Sequence, residues 1–292
     1  MALAIILVVL LIGSTIFQFV NPWSATPVAS NWGSIDAIIV ITAVITGIFF
    51  VGITLFVVYA LVKFRHKESV GNGQHQASYE PDSKKLEWWL TGITTVGICA
   101  LLAPGLVVYN DFVHVPEEAT EVEVVAKQWM WSYRLPGEDG KLGHAQVKLI
   151  SLSNPFGVDP DDPNGQDDVL INSNVLHLPI DKTVKIVLRS LDVLHNFYVP
   201  QFRAKMDMVP GQISYFWFTP TKEGRFEVLC AEYCGVAHYN MKGHVVVESA
   251  DDYQDWLAQQ PTFASSLNSG NGDGGVEQGR QLAESSGCFA CH

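Results

Sequence analysis

Basic residues are scarce in this chain: 18 Lys and Arg stand against 30 Asp and Glu, a formal net charge of -12 over 292 residues. That balance argues against nucleic acid as a partner and for a cationic one. Cysteine is scarce as well. Of five, Cys99 lies in an apolar run and the others form two close pairs, Cys230 with Cys234 and Cys288 with Cys291. No structural disulfide framework is implied. The long apolar stretches hold no His cluster, so nothing in them would ligate a haem or a metal ion.

Hydrophobic residues, by contrast, make up 48% of the chain, with a mean hydropathy of +0.17, the balance of a membrane protein. Residues 1–20 are almost wholly apolar with no Lys or Arg ahead of them. A signal peptide normally opens on basic residues, and only a small-residue cleavage site is hinted at, around Ser24 to Thr26. The run is also about as long as a spanning helix requires. It reads as a signal peptide or an additional transmembrane helix.

Residues 35–64 and 86–108 are two further apolar stretches, each able to cross about 30 Å of hydrocarbon. Together they predict a transmembrane hairpin over 35–110. Gly47, Gly52, Gly92, Gly97, Thr46 and Thr54 suit close helix packing within it. Lys63, Arg65, Lys67, Lys84 and Lys85 lie in or beside the connecting loop 65–86, whereas 22–34 has no basic residue. The positive-inside rule puts that loop in the cytoplasm and everything after Asn110 on the far side.

From residue 119 the pattern changes to short β-like runs. Val122, Val124 and Ala126 alternate with other residues, and 183–189, 213–218, 225–230 and 244–248 are strand-like, punctuated by Pro179, Pro200, Pro210, Gly211, Pro220 and Gly224. Many short strands between turn signals predict a β-sandwich over 119–250. Residues 251–260 read as a short closing helix, and 261–278, rich in Ser, Gly and Asn, as a flexible linker.

One loop of this domain carries chemistry. Between Cys230 and Met241 fall two thiols, the imidazole of His238 and a thioether, with Glu232 between the thiols. Such soft and borderline donors suit copper, not the hard cations. A single blue-copper ion uses one thiolate, so the second is surplus unless two coppers share both. A second imidazole must then come from elsewhere, and His195 is the best candidate. Zinc held by two Cys and two His would leave Met241 unemployed. A Cys230–Cys234 disulfide is compatible with an extracytoplasmic location but leaves the adjacent His and Met unexplained.

Cys230-x-x-x-Cys234-x-x-x-His238-x-x-Met241, with His195 upstream, resembles the dinuclear CuA centre of cytochrome c oxidase subunit II. The likeness runs from the membrane segments to the strand after Met241. Nitrous oxide reductase shares the copper loop but is not expected to carry paired membrane helices, and quinol oxidase subunits II keep the fold without the copper ligands. The resemblance implies a membrane-anchored, cupredoxin-like Greek-key β-sandwich. It also implies two copper ions held by His195, Cys230, Glu232 (through its carbonyl), Cys234, His238 and Met241. The Glu232 carboxylate would bind a magnesium shared with subunit I.

The implied role is to accept single electrons from cytochrome c and pass them to haem in subunit I of a proton-pumping oxidase. Subunit III and membrane lipids are the further partners, and the place is a bacterial inner membrane with the copper domain on the periplasmic side. A membrane-tethered copper-delivery protein is the rival reading.

Three further features have a plain reading and a sharper one. The run Gln128-Trp129-Met130-Trp131-Ser132-Tyr133 is an ordinary strand core by its alternation. In the family its first Trp, here Trp129, lies at the surface where electrons enter, although Met130 stands where the family often has Tyr. Glu87, beside Trp88 and Trp89, is a helix-start carboxylate; in the family a Glu at this place lies near the mouth of a proton path. Asp159, Asp161, Asp162, Asp167 and Asp168 do not have the spacing of a calcium loop, and read as a solvated loop or a steering patch for a basic cytochrome. Asp192 and Asp207 flank the ligands in sequence and are candidates to hydrogen-bond to them.

The chain closes on Cys288-Phe-Ala-Cys291-His292, the C-x-x-C-H signature of covalent haem c attachment with His292 as iron ligand. Gly279-Arg-Gln-Leu-Ala before it resembles the opening helix of a small cytochrome c, which some bacterial oxidases carry fused to subunit II. With no Met downstream, 279–292 reads as an incomplete haem-attachment segment, either truncated or a remnant.

Overall fold

The computed structural model describes residues 1–20, 26–64, 82–151 and 154–270. These form a helical unit (1–26 with 33–111) and a β unit (27–32 with the chain from 112 onward).

The helical unit holds α1 (Ala2–Val20), α2 (Gly33–Lys63) and α3, which begins at Lys84 and runs to Val113. All three are long and apolar enough to cross a membrane. α2 has 31 residues and α3 has 30, about 45 Å at 1.5 Å per residue. That exceeds the hydrocarbon thickness, so the helices take in the polar ends that hydropathy alone left out: Asp36 at one end, Asn110 and Asp111 at another. The small residues behave less uniformly than expected. A Cβ on Gly97 would lie 2.9 Å from the Phe49 ring, so α2 and α3 approach closely there, whereas Gly47, Gly52 and Gly92 meet nothing within 4 Å. Thr46 and Thr54 donate to carbonyls of their own helix at 2.7 Å.

The β unit is a Greek-key sandwich of two five-stranded sheets, ordered β3-β2-β1-β5-β8 and β4-β10-β9-β6-β7. The first holds β1 (Thr120–Lys127), β2 (Met130–Leu135), β3 (Val169–Ile171), β5 (Val184–Ser190) and β8 (Ser214–Phe218). The second holds β4 (Val175–Pro179), β6 (His195–Val199), β7 (Ala204–Met208), β9 (Gly224–Cys230) and β10 (Lys242–Glu248). Parallel pairings of β1 with β5 and of β4 with β10 close the Greek key. Val122, Val124, Trp131, Tyr133, Ile186, Phe197, Phe216 and Val245 fill the space between the sheets. The strands β3, β4, β6 and β7, each of five residues or fewer, are too short to stand out in the sequence pattern.

Two expectations change here. The aromatic run is not all strand: β1 and β2 pair Lys127 with Met130, which leaves Gln128 and Trp129 in the two-residue turn. Glu123, between Val122 and Val124 on β1, is also buried, 5% exposed. The chain between β2 and β3 folds over the outside of the first sheet and builds a second apolar layer from Val125, Phe156, Val158, Leu170 and Phe263. Glu123 under that layer pairs with Arg134 at 2.6 Å and Arg189 at 2.8 Å.

Finally, the segment read as linker is ordered over its first part. Phe263 N–H donates to Asp168 O at 2.8 Å and Ala264 N–H to Gln166 O at 3.0 Å, and α5 (Phe263–Gly270) follows. A buried phenyl ring in an otherwise polar, small-residue segment anchors it. Before it, the closing helix α4 (Ala250–Leu257) is capped by Ser249, whose hydroxyl accepts from Asp252 N–H. Residues 271–278 of the expected linker lie outside the described residues.

Candidate metal centre

Strand pairing gathers the soft donors at one end of the second sheet. β9 ends on Cys230 and pairs with β6 so that Phe197 faces Cys230, which brings His195, at the start of β6, alongside. β10 pairs with β9 from Lys242, and Cys230 N–H donates to Met241 O at 3.3 Å, closing the loop on itself. A short 3-10 turn, His238–Asn240, turns the second imidazole back toward Cys234.

The resulting distances are short and paired. Cys230 Sγ and Cys234 Sγ are 3.8 Å apart. Both are free thiols, and a disulfide would need about 2.05 Å. His195 Nδ1 lies 3.9 Å from Cys230 Sγ, and His238 Nδ1 lies 3.5 Å from Cys234 Sγ. Met241 Sδ is 3.7 Å from Cys234 Sγ, while the Glu232 carbonyl is 3.2 Å from Cys230 Sγ. One donor atom each from His195, Cys230 and Cys234 fits within 4.8 Å, the one such group among the described residues. His195, Cys234 and Met241 are at most 2% exposed and Cys230 is 9%.

The protons of this group are held unevenly. Burial alone would raise Cys230, but hydrogen bonds from His195 and from backbone groups outweigh it and hold the thiol well below its ordinary range. Cys234 goes the other way, pushed up by burial and then by the neighbouring Cys230 charge. For His195, burial works downward, yet contact with Cys230 and Asp192 raises it. A bound cation would displace these protons, since thiolate and neutral imidazole are the ligating forms. Two thiols, two imidazoles, a thioether and a carbonyl fit soft or borderline metals. Four-ligand zinc would use four of the six.

Around these donors stand Trp129 and Asp192, both nominated from the sequence, and Gln128, which was not. Gln128 Nε2 and Trp129 Nε1 both donate to the Cys234 carbonyl, at 2.8 and 3.2 Å. Trp129 is half-buried there, beside the thiol loop. Asp192 Oδ1 accepts from His195 Nε2 at 2.8 Å. Burial opposes its charge, but the Gln128 N–H and His195 hold its carboxyl below the ordinary range. Asp207 meets no ligand directly: it accepts from Asn196 Nδ2 at 2.6 Å, and the Asn196 carbonyl accepts from Ala231 N–H at 3.1 Å. Glu87 stands in the first turn of α3. Cys288, Cys291 and His292 lie outside the described residues.

The acidic loop is spent on its own architecture. Asp162 accepts from the N–H groups of His144 and Asn164, which hold its carboxyl down. Asp159 accepts from Gln146 Nε2 and Asp161 N–H, and Asp167 from Asp139 N–H. Asp168 is fully buried on Arg134 at 2.6 Å, and burial pushes it up to about 6 although Arg134 and the Gly143 N–H pull against it. The loop carboxylates act first as staples for the outer layer.

Gly235 lets the thiol loop sit against the β1–β2 turn. Its φ is +121°, and an added Cβ would lie 2.9 Å from Gln128 Nε2 and 3.2 Å from Trp129 Cζ2. Gly235→Ala is expected to destabilise the copper-free protein by on the order of 1–3 kcal/mol, read as a lower midpoint in thermal unfolding. An unchanged midpoint would show that the loop yields freely.

Comparison with known proteins covers most of the chain. The family described as cytochrome c oxidase subunit II, periplasmic domain, matches residues 120–250. The chain is 56% identical over 264 residues to the alternative cytochrome c oxidase subunit 2 of Bradyrhizobium diazoefficiens, covering 90% of this chain and 94% of that protein. It is 30% identical over 245 residues to the cytochrome c oxidase subunit 2 of Cereibacter sphaeroides, covering 81% of this chain and 78% of the other. Among solved structures, the periplasmic domain of subunit II of cytochrome oxidase of Bradyrhizobium japonicum is similar over 50% of this chain and 95% of its own, with 28% identity and a TM-score of 0.37.

Proposed function

The chain belongs to the cytochrome c oxidase subunit II family, and from that premise we propose that it receives single electrons from cytochrome c at a dinuclear copper centre and delivers them to the haem of subunit I, where oxygen is reduced to water. The observation that carries this reading is the pairing of donors. Each thiol has its own Nδ1 imidazole and its own weak donor: His195 and the Glu232 carbonyl beside Cys230, His238 and Met241 beside Cys234. Two metals sharing both thiolates would use every one of these groups. Bound there, such a pair supplies one-electron transfer with the charge spread over two metals, so that little geometry changes on reduction.

The protein's own contribution is rigidity and exclusion of water. His195 and Cys230 are set by paired strands, Met241 immediately precedes β10, and the buried donors keep solvent away from the centre. Trp129 has one edge at the surface and its indole N–H on the Cys234 carbonyl, which supports it as the point where electrons enter. The Glu232 carboxylate is assigned to a magnesium at the contact with subunit I, and Glu87 to the mouth of a proton path. Cys288, Cys291 and His292 carry the C-x-x-C-H motif of covalent haem c attachment. Subunit III and membrane lipids complete the partners, in a bacterial inner membrane with the β unit on the periplasmic side.

A copper-delivery protein needs donors that exchange metal readily, and four buried donors work against that. Electron paramagnetic resonance of the copper-loaded chain tests the proposal. An unpaired electron shared by two equivalent coppers, at two coppers per polypeptide, is the expected result; one copper, or zinc, would overturn it.

A further inference from the structure

Two separate segments of the candidate centre meet in one carboxylate. Asp192 Oδ1 accepts from His195 Nε2 at 2.8 Å, and Asp192 Oδ2 accepts from the Gln128 backbone N–H at 2.6 Å. From Gln128 the chain of contacts continues: its Nε2 and the neighbouring Trp129 Nε1 both donate to the Cys234 carbonyl. The segment carrying Asp192 is itself held, with Leu191 N–H on Ala126 O at 3.0 Å and the Ser190 hydroxyl on Val193 O at 2.5 Å. His195, Asp192, Gln128 and Cys234 thus form one connected set, and its two ends are the imidazole of one ligand and the backbone of another.

The chemistry of the contact is directional. A carboxylate can only accept, so His195 carries its proton on Nε2 and turns the lone pair of Nδ1 toward Cys230. The ring is 0% exposed, and a ring without that partner is free to take the other tautomer. The same carboxylate holds the turn that lays Trp129 over the Cys234 carbonyl.

We infer that Asp192 is a positioning residue with two duties, fixing the His195 ring for the metal and docking the Trp129 turn on the thiol loop. The inference rests on the copper reading above. Loss of an outer partner of this kind typically costs about 10–100-fold in metal affinity or activity. Asp192→Ala removes both contacts. Asp192→Asn keeps the shape but can accept at only one of its two positions, and its amide N–H then faces another donor. Asp207→Ala is the control, a nearby carboxylate bonded to Asn196 and to no ligand.

The experiment uses the full chain loaded with copper. Copper retention against graded chelator, the histidine nitrogen coupling in the resonance spectrum, and the rate of reduction by cytochrome c are compared across the variants. Asp192→Ala is expected to lose about 10–100-fold in copper retention, with an altered nitrogen coupling and slower reduction. Asp192→Asn should fall between it and the parent, and Asp207→Ala should keep the parent spectrum. A parent spectrum and parent retention in both Asp192 variants would overturn the inference, as would an equal loss in Asp207→Ala, which would mark a general loosening of the fold. A parent chain without a two-copper signal would instead sink the copper reading itself.

Discussion

Cys234→Ser is expected to abolish the two-copper signal and to cut electron delivery from reduced cytochrome c by more than 100-fold. Cys234 Sγ is the hub of the donor set, within 3.5–3.8 Å of Cys230 Sγ, His238 Nδ1 and Met241 Sδ. Serine puts a harder, far less acidic oxygen at that hub, and soft ligands are what select copper. Losing an outer partner already costs about 10–100-fold, and loss of a shared ligand should exceed it. A lone blue-copper site on Cys230 would behave differently: it would keep one copper with an intense thiolate band after the substitution. Metal-to-protein ratio, the resonance spectrum and stopped-flow reduction separate the outcomes. Normal reduction kinetics in Cys234→Ser would contradict the shared-thiolate arrangement.

The second large effect lies away from the metal loop. Arg134 sits between Glu123 and Asp168, each at 2.6 Å, and donates to the Gly143 carbonyl at 2.8 Å. The side chains of these three residues are no more than 6% exposed. Arg134→Met would leave Glu123 on Arg189 alone and Asp168 on a backbone N–H. Breaking a buried ion cluster by removing one partner costs about 3–5 kcal/mol, whereas replacing a whole cluster with apolar groups is often neutral. The loss should appear as a lower denaturation midpoint in urea, with copper loading preserved in the surviving folded fraction.

It should also depend on pH. Asp168 is raised from 3.8 to about 6 in the folded protein. The folded state therefore binds more protons than the unfolded state between about pH 4 and 6, and this group's contribution to stability falls as pH rises through that window. Without Arg134 the carboxyl rises further, so the variant's deficit should be smaller at pH 5 than at pH 7. A deficit that does not change with pH would mean that Asp168 is not the group left stranded.

Much of this protein was legible from short stretches. The spans announce themselves because about twenty consecutive apolar residues have few alternatives to a bilayer. The metal loop is legible because four donors fall within twelve residues of one connection, so their spacing survives without knowledge of the fold. Strands such as β5 and β9 show their alternation, but β6 does not, and His195 could be nominated only by its type and by resemblance. Glu123 is a related case, alternating with Val122 and Val124 yet buried. Alternation reports which face a residue takes, not whether a later segment covers that face.

By itself the sequence determined what is local: the long apolar helices, the β character of the second half, and the Cys, His and Met of one loop. Only the tertiary structure decided what is distant. The pairing of β6 with β9 sets His195 beside Cys230, the 136–168 excursion buries Glu123 and Arg134, and Phe263 ties down a segment that composition reads as linker. Asp192 stands 64 residues from the Gln128 N–H it accepts from. The reason is physical: hydrophobic periodicity and donor spacing act along the chain, whereas hydrogen bonds and ion pairs form between whatever side chains the packed sheets bring together.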